Sequence, residues 1–361
     1  MRRLSVILLS PALQAVSGVS THVRQLLTSD LAQSMRLSHF QVGSEGRSED
    51  RIQRAVRFFT GPLVLAVAIV RHRADIVHLN TSLLRKSYWR DLVYLLVARV
   101  LRRKVIFQVH GGFLPMEFVA GSAFSSWVLS CALQLCDVVV VLAQTELVAY
   151  RQFVPRTRVL LIPNAIEPSA FANEPRAIRA HEPLRLAYLG RIVREKGIFE
   201  IIHAVKALAD RQVNVRLSIA GSGPDERSVR NAVTQAGIEG RVRMMQPIFG
   251  AAKFAFWADS DVFVFPTYHR EGLPYALLES MAAGAVPVVC PVAAVPDVVQ
   301  DGISGLFVVP RDSQAVTHAI VRLDEDRAGL ARMARAARDR VAAHYTIAKL
   351  VEHFRQLYES L

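Results

Sequence analysis

The chain has 361 residues, of which 52% are hydrophobic and 21% charged, as expected for a globular protein of about two domains. This composition excludes an intrinsically disordered chain, and the 19 glycines and 16 prolines show no period that would indicate a fibrous repeat. Three cysteines give an odd count, which argues against a disulfide framework and favours a reducing compartment. We therefore expect a cytoplasmic protein.

Positive charge is concentrated in the first half of the chain. Residues 1–180 contain 22 Lys and Arg against 11 Asp and Glu, whereas residues 181–361 contain 22 against 20, for a net charge of +13. This asymmetry indicates a nucleic acid, an anionic membrane or an anionic substrate as partner of the first half, and charge that serves only solubility is the alternative. Because no nucleic-acid-binding motif is recognisable, we expect no nucleic-acid partner.

Two stretches place this charge beside apolar side chains. Residues 85–104 run basic, apolar and basic again, and the other stretch has basic and aromatic residues at helical spacing, namely Arg47, Arg51, Arg54, Arg57, Phe58 and Phe59. Either helix could lie in a membrane headgroup layer or cover a sheet. The longest apolar run outside the strands, 63–70, falls short of the roughly 20 residues of a membrane span. We therefore expect peripheral contact at the inner face of the cell membrane.

Short apolar runs alternate with helical patterns along the whole chain. The predicted strands are residues 4–9, 37–42, 75–80, 104–109, 137–142, 159–162, 184–189, 215–220, 242–245, 261–265, 286–290 and 305–308. The first of these imitates a signal peptide, but Pro11 cuts it short and a helical pattern follows. The rhythm predicts α/β architecture with two doubly wound, Rossmann-like domains of parallel strands.

The predicted boundaries follow from a proline-rich break in this rhythm. We place an N-terminal domain at 1–167, a linker at 168–183 and a C-terminal domain at 184–345. A last helix at about 346–361 is expected to pack back on the first domain. Ligands of open α/β sheets bind beyond the carboxyl ends of the strands, so a cleft between two facing domains is the expected site.

The most informative motif extends from Glu271 to Glu279 and follows the predicted strand 261–265. Pro274 suits the start of a helix. Because Gly272 has no side chain, a ligand can come close to the backbone of Gly272 and Leu273. Free N–H groups at the helix start can bind phosphate or sugar oxygens, and the two carboxylates can accept hydrogen bonds from hydroxyls. The alternative is an ordinary helix start with an acidic residue near its dipole.

Three further loops follow predicted strands. Gly190-Arg191 and Lys196-Gly197 supply two cations suited to a diphosphate, or form a solvated loop. The sequence Gly221-Ser222-Gly223-Pro224 only weakly resembles a dinucleotide-binding motif, and a tight turn between a strand and a helix is the better interpretation. In the first domain, a flexible loop around Gly18 can reach a ligand, and His110 beside two glycines is expected to be exposed at a strand end rather than packed in the core. No metal-binding spacing, HExxH, GxSxG or Walker lysine is present, so no metal and no cofactor are expected.

Together these motifs resemble the retaining GT-B glycosyltransferases of family four, the group 1 transferases. The resemblance covers nearly the whole chain, is most specific between residues 186 and 310, and also includes the sequence PNAIE at 163–167. It implies a GT-B fold in which the N-terminal domain 1–167 binds the acceptor and the C-terminal domain 184–345 binds a nucleotide-diphospho-sugar donor. It also implies transfer of a hexosyl group to a membrane-associated, lipid-linked glycan in surface polysaccharide synthesis. A soluble transferase with a small acceptor, or a non-catalytic binding protein, remains the alternative.

The resemblance also implies roles for individual residues. Arg191 and Lys196 would neutralise the leaving diphosphate in place of a metal ion, and Glu279 would bind the ribose. Glu271 and the amides that follow, from Gly272 to Pro274, would hold the transferred sugar. Gly18 would approach the diphosphate, and His110 would contact the sugar; Gly190 and Asn164 complete the implied binding residues. Two departures from the family pattern, Ser17 before Gly18 and Ala165 in place of the glycine of PNG, put the loop geometry in doubt.

Overall fold

A computed structural model describes residues 3–171 and 182–361, with the backbone alone at Arg85 and Lys86. Its contacts divide the chain into two compact units. The first unit comprises residues 1–165, 270–273 and 347–361, and the second comprises 166–269 and 274–346. The predicted linker begins with a 3₁₀ turn, Pro168–Phe171, and its residues 172–181 lie outside the described residues.

The first unit is built on a six-stranded parallel sheet in the order β2-β1-β3-β4-β5-β6. Its strands are β1 Ser5–Ser10, β2 Arg36–Gln41, β3 Ile76–Leu83, β4 Lys104–Gly112, β5 Val138–Val141 and β6 Arg158–Leu161. Its helices are α1 Gly18–Thr28, α2 Leu31–Ser34, α3 Arg51–Arg71, α4 Arg85–Val100, α5 Pro115–Phe118, α6 Ala123–Gln134, α7 Gln144–Phe153 and, from the chain terminus, α15 Ile347–Glu359.

The second unit has its own six-stranded parallel sheet in the order β12-β11-β10-β7-β8-β9. Its strands are β7 Leu184–Leu189, β8 Val215–Ala220, β9 Val242–Met245, β10 Val262–Phe265, β11 Val286–Val289 and β12 Leu306–Phe307. Its helices are α8 Ile198–Asp210, α9 Glu226–Gln235, α10 Ala251–Ala258, α11 Tyr275–Ala283, α12 Val295–Val298, α13 Ser313–Glu325 and α14 Arg327–His344, with further 3₁₀ turns at Arg194–Lys196 and Glu239–Arg241.

The predicted strands and the α/β fold class are confirmed. The inner strands are buried on both faces because helices cover both sides of a parallel sheet, and continuous apolar runs such as VVVV in β5 satisfy that requirement. Side chains cap several helices: Ser17 accepts from the Ser20 amide at α1, and Asp50 forms a reciprocal capping box with Gln53 at α3.

The core of the first unit has two layers, one on each face of its sheet. One layer contains the inward faces of α3, α4, α6 and α7, including Leu65, Leu95 and Leu129. The other contains the inward faces of α1 and α15, and Phe354 and Tyr358 of α15 are almost fully buried in it. The last helix is therefore part of the first unit, although the preceding 180 residues belong mostly to the second.

The segment that contains Glu271, Gly272 and Leu273 lies in the first unit and not, as predicted, in the C-terminal domain. The Asn164 side-chain amide donates to the Leu273 carbonyl oxygen at 2.7 Å, and Arg270 forms an ion pair with Glu117. The residues on either side of this segment belong to the second unit. The segment is therefore placed in the first unit by contacts with residues more than a hundred positions away in sequence.

Candidate functional site

The switch point of the second sheet lies between β7 and β10, because the strand order reverses there. Loops after these two strands contain Gly190–Gly197 and Pro266–Pro274. Open parallel sheets bind ligands outside the carboxyl ends of their strands at such a point. The two predicted cations, Arg191 and Lys196, thus lie in the loop that the fold favours for a ligand.

Close backbone contacts hold the loops of the second unit together. A Cβ atom on Gly221, whose φ is +150°, would lie 1.9 Å from the Gly190 carbonyl oxygen, and one on Gly197, whose φ is +76°, would lie 2.4 Å from the Pro266 carbonyl oxygen. Only glycine fits these positions. The sequence Gly221–Pro224 is therefore a packing turn that supports the Arg191 loop, as its single GxG pattern suggested.

The Glu195 carbonyl joins the two loops at the switch point. It accepts hydrogen bonds from the backbone N–H groups of Tyr268 and His269, each at 3.0 Å, and from the Thr267 hydroxyl at 3.3 Å. Three donors on one carbonyl fix the backbone on both sides of Glu195. The backbone of the adjacent Lys196 is therefore held in position. Its ammonium group lies 5.4 Å from the centre of the Phe265 ring.

The side chain of Arg191 is exposed, and within residues 3–171 and 182–361 no carboxylate pairs with it. Its backbone carbonyl accepts a hydrogen bond from the Tyr188 hydroxyl at 2.7 Å, which anchors the residue while the guanidinium remains accessible. An accessible guanidinium on a fixed backbone suits bidentate binding of a phosphate.

Glu279 is buried in the second turn of α11 and contacts two side chains of α10. Lys253 donates to one carboxylate oxygen at 2.6 Å, and the Trp257 indole N–H donates to the other at 3.2 Å. The sequence analysis missed both partners, which lie more than twenty residues earlier and carry no motif. Each carboxylate oxygen has two lone pairs, so a ribose hydroxyl would share the carboxylate with these donors.

In the first unit, the Glu271–Leu273 segment lies against the end of β4. A Cβ atom on Gly111, whose φ is +96°, would lie 2.4 Å from the Gly272 nitrogen, and one on Gly272 would lie 2.9 Å from the His110 carbonyl oxygen. The half-buried Glu271 side chain therefore starts beside the backbone of β4. The structure thus brings together His110, Gly272, Leu273 and Asn164, which are scattered in the sequence.

His110 is not the exposed strand-end residue that was predicted. Strand β4 continues to Gly112, so His110 lies within the strand, is half-buried, and packs its ring 4.9 Å from that of His22. Its Nε2 atom lies 2.9 Å from the Asn80 Oδ1 atom, which makes Nε2 the protonated nitrogen, and Nδ1 is buried without a hydrogen-bond partner within the described residues. Sequence reasoning missed Asn80 altogether.

Burial keeps three neighbouring histidines of the first unit neutral. It lowers the pKa of His22 to about 4 and that of His78 to about 3, and it lowers the pKa of His110 well below its usual value, with a smaller contribution from the other two imidazoles. His78 is further bound by the Tyr358 hydroxyl at 2.8 Å and by Gln108 at 2.9 Å. His110 therefore offers a neutral imidazole with a bare Nδ1 acceptor.

Gly18 is not part of a flexible loop. It is the first residue of α1, and the side chain of the preceding Ser17 caps that helix. The backbone there is fixed, and a ligand that approached Gly18 would meet the amides of a helix N-terminus. Among the described residues, no group of three or more His, Cys, Asp or Glu side chains is arranged to hold a metal ion.

Comparison with known proteins supports the fold and gives a family match over part of the chain. Residues 171–340 match the family model described as "Glycosyl transferases group 1". The structure resembles sucrose-phosphate synthase from Thermosynechococcus elongatus, with a TM-score of 0.81 and 21% identity over 99% of both chains. It also resembles Anabaena HepE in complex with UDP-glucose, with a TM-score of 0.76 and 16% identity over 99% of this chain and 100% of that one.

Curated relatives align over part of their sequences. The putative colanic acid biosynthesis glycosyltransferase WcaL of Escherichia coli (strain K12) is 32% identical over 199 residues, 52% of this chain and 47% of the relative. The amylovoran biosynthesis glycosyltransferase AmsK of Erwinia amylovora is 26% identical over 214 residues, 57% and 51% of the two chains. The chain thus spans about half the length of these relatives in the alignments.

These comparisons confirm the GT-B fold and the resemblance to the group 1 transferases. Arg191, Lys196, Glu271 and Glu279 all lie within the residues that match the group 1 model.

Proposed function

We propose that the protein is a retaining glycosyltransferase that transfers a hexosyl group from a nucleotide-diphospho-sugar to a lipid-linked glycan in the synthesis of a surface polysaccharide. One observation carries the proposal: an exposed Arg191 and the neighbouring Lys196 lie at the switch point of a parallel sheet, within the residues that match the group 1 transferase model. The names of the relatives, which concern colanic acid and amylovoran, support the polysaccharide product.

The proposed roles in the second unit concern the nucleotide. Arg191 and Lys196 stabilise the negative charge that develops on the diphosphate as it leaves, so that no metal ion is needed. The N–H groups at the start of α11, after Pro274, also bind oxygens of the diphosphate, because the N-terminus of a helix favours negative charge. Glu279 accepts hydrogen bonds from ribose hydroxyls while Lys253 and Trp257 hold its carboxylate in place. The solved complexes of HepE with UDP and with UDP-glucose support a nucleotide sugar as the donor class.

The proposed roles in the first unit concern the sugar and the acceptor. His110 accepts a hydrogen bond from a sugar hydroxyl at its bare Nδ1, and Glu271 binds further hydroxyls. The acceptor hydroxyl attacks the anomeric carbon from the face that the diphosphate leaves. The C–O bond to the diphosphate breaks, the new glycosidic bond forms, and the acceptor proton passes to a diphosphate oxygen. No carboxylate nucleophile is required, so the two-carboxylate logic of glycosidases does not apply.

A thermal-shift panel of nucleotide diphosphates and nucleotide sugars tests the donor site. A ligand that binds only the folded state raises stability by about 2.7 kcal/mol at a hundred times its Kd, and we expect a member of the panel to do so. Arg191→Gln should reduce that shift strongly, whereas Arg216→Gln, an exposed arginine in strand β8, should leave it unchanged. Equal shifts in the two variants would remove the diphosphate role of Arg191.

Product analysis tests the chemistry. With the donor found in the panel and a lipid-linked acceptor, NMR of the product should show the anomeric configuration of the donor, and excess chelator should leave the rate unchanged. An inverted product would overturn the retaining mechanism. A strict requirement for a divalent ion would overturn charge neutralisation by Arg191 and Lys196. Transfer to a small soluble sugar but not to the lipid-linked one would favour the soluble-acceptor alternative.

A further inference from the structure

Helices α3, α4 and α6 lie on the face of the first unit's sheet that α7 also covers. Helices α3, α4 and α6 follow β2, β3 and β4, and the strand that follows each of them runs parallel to the rest of the sheet. Such crossovers are right-handed, which places the three helices in one layer. Their inward side chains share a single core cluster. The surface considered below, the α3–α4–α6 face, is the outward side of this layer.

Helix α3 has two apolar sides, of which only one is buried. Gly61, Leu65 and Ile69 face the core. The other side is a stripe of large apolar residues spaced three or four apart, all more than half exposed: Ile52, Val56, Phe59, Leu63, Val67 and Val70. Positions two residues apart on a helix differ by about 200°, so the exposed stripe lies opposite the buried one. Packing of the unit itself leaves this stripe in contact with solvent.

Helices α4 and α6 repeat this arrangement. On α4 the buried Leu95 and Ala98 face the core, whereas an exposed stripe contains Trp89, Val93, Leu96 and Val100. On α6 the rings of Phe124 and Trp127 are exposed and lie 6.2 Å apart. Monomeric soluble proteins rarely expose apolar surface on this scale, and larger patches mark membrane or protein contact sites.

The outward-facing charges within helices α3, α4 and α6 are of one sign. The sequences of the three helices contain a single carboxylate, Asp91. That carboxylate is buried and accepts hydrogen bonds from Arg90 and Thr81, so it does not reach the outer surface. Exposed arginines flank the stripe of α3, with Arg51 and Arg54 at one end and Arg71 at the other. A second copy of the same face would meet it with like charge, whereas anionic headgroups are complementary.

Helix α3 is also the one described helix that is long and apolar enough to cross a membrane by length and composition. The fold argues against a crossing. Both β2, which precedes the helix, and β3, which follows it, pair with β1 in the same sheet, and a span would separate them by the thickness of a bilayer. Arg57, within the helix, also pairs with Glu49 at 2.7 Å. A position parallel to the surface keeps both the sheet and this ion pair.

We propose that the α3–α4–α6 face docks on an anionic phospholipid bilayer, with its apolar stripes at the boundary between headgroups and acyl chains and its arginines on the phosphates. Interfacial helices of this composition bury their apolar side by about 5–10 Å, and each cation near an anionic surface adds about 1 kcal/mol. The inference depends on this surface alone and does not require sugar transfer.

Tryptophan fluorescence of the unmodified protein tests the proposal directly. The chain has three tryptophans, of which Trp89 and Trp127 on the face are 54% and 64% exposed, whereas Trp257 in the second unit is fully buried. Vesicles of phosphatidylcholine with phosphatidylglycerol should shift the emission to shorter wavelength, and brominated acyl chains should quench it. Vesicles of phosphatidylcholine alone should have a much smaller effect.

Co-sedimentation with the same vesicles assigns the contact to residues. Phe59→Ser with Leu63→Ser should lower the partition coefficient at least tenfold, because each loses apolar surface that enters the bilayer. The matched control is Phe249→Ser with Ile303→Ser, two exposed apolar residues of the second unit, which should bind as the wild type does. Arg51→Gln with Arg54→Gln should lower binding about tenfold or more, and Arg216→Gln with Arg227→Gln should not.

Three results would overturn the proposal. The first is an unchanged tryptophan spectrum with anionic vesicles. The second is equal binding of the Phe59/Leu63 variant and its control. The third is a stable dimer of the wild type that this variant dissociates, with no vesicle binding, which would assign the face to a second copy of the chain. Circular dichroism melts of each variant show whether it is folded, and the exposed positions are expected to leave the melting temperature unchanged.

Discussion

Gly111 lies so close to Gly272 that a Cβ atom on the first would be 2.4 Å from the backbone nitrogen of the second. The contact joins the end of β4, which contains His110, to the segment that contains Glu271. Two side chains proposed to bind the sugar are therefore positioned by one backbone contact between glycines about 160 residues apart in sequence.

Substitution of Gly111 tests this contact. Gly111→Ala combines an unfavourable φ of +96° with a steric clash, so it should displace residues 271–273 and lower kcat/KM at least tenfold. Gly121→Ala is the matched control: its φ is +83°, but a Cβ atom there has nothing within 4 Å. Both alanines bear the backbone strain of about 1 kcal/mol or more. Equal melting temperatures and activities in the two variants would show that the Gly111 contact has no role.

The buried pair of Glu279 and Lys253 should be sensitive to loss of the cation. Lys253→Met leaves the Glu279 carboxylate buried with one remaining donor, Trp257, and urea unfolding should show a loss of about 2–4 kcal/mol. Lys206→Met removes the exposed partner of Asp210 on α8 and should cost about 0.5 kcal/mol or less. If the two changes cost the same, Glu279 is not confined as the structure describes.

Nucleotide binding gives a second measurement on the same pair. Glu279→Gln keeps the shape and one acceptor oxygen but loses the charge that Lys253 and a ribose hydroxyl both contact. Calorimetry should show at least tenfold weaker binding of the preferred nucleoside diphosphate, because hydrogen bonds to a charged group contribute about 1.5–3 kcal/mol. A Kd equal to that of the wild type would exclude Glu279 from the proposed ribose site.

The three neutral histidines of the first unit should make the protein sensitive to acid. The unfolded chain binds protons at these positions as the pH falls below about 6.5, whereas burial lowers the folded-state pKa of His22 to about 4 and that of His78 to about 3. The stability that they contribute is therefore complete above pH 6.5 and is lost as the pH falls toward 4. Each histidine should contribute about 1.4 kcal/mol per pH unit in that range.

Urea unfolding as a function of pH measures this slope. His78→Gln should reduce the loss of stability between pH 6.5 and 4, whatever its effect on absolute stability at neutral pH. The exposed His203→Gln serves as the control and should leave the slope unchanged. Identical slopes in all three proteins would mean that His78 is protonated in the folded state.

Asn80 should fix the tautomer of His110. Its Oδ1 atom accepts the Nε2 proton, so nitrogen NMR of the imidazole should show the Nε2–H form with a bare Nδ1. Asn80→Ala should yield a mixture of tautomers and lower kcat, because the Nδ1 acceptor proposed for the sugar would be protonated in part of the molecules. An Nδ1–H signal in the wild type would contradict this assignment.

The sequence allowed the strands to be predicted because a parallel strand that is buried on both faces must be apolar throughout. Short continuous apolar runs such as VFVF and VVVV are typical of such strands. It did not allow the neighbours of Glu279 and His110 to be predicted. Lys253, Trp257 and Asn80 lie on other elements, and their role depends on packing rather than on any local pattern. The position of Glu271 was assigned wrongly for the same reason, since its unit is decided by Gly111 and Asn164.

The exposed side of α3 shows another limit of sequence reasoning. Its apolar residues have helical spacing on both sides, and such a pattern alone does not tell which side meets the sheet. Only the packing of Gly61, Leu65 and Ile69 against the core shows that the stripe through Phe59 is left over. The arginines near residue 50 and the stretch 85–104, which contains α4, indicated possible membrane contact from the sequence, whereas the part played by α6 emerged only from the fold.

The place of helix α15 has a consequence for the order in which the protein can be made. Phe354 and Tyr358 complete the core layer over His78 and Ile106, and they follow the whole second unit in sequence. During translation, the core of the first 165 residues therefore stays incomplete until the whole second unit and then helix α15 have been synthesised. A nascent chain released before residue 347 would keep that side of its sheet open to water.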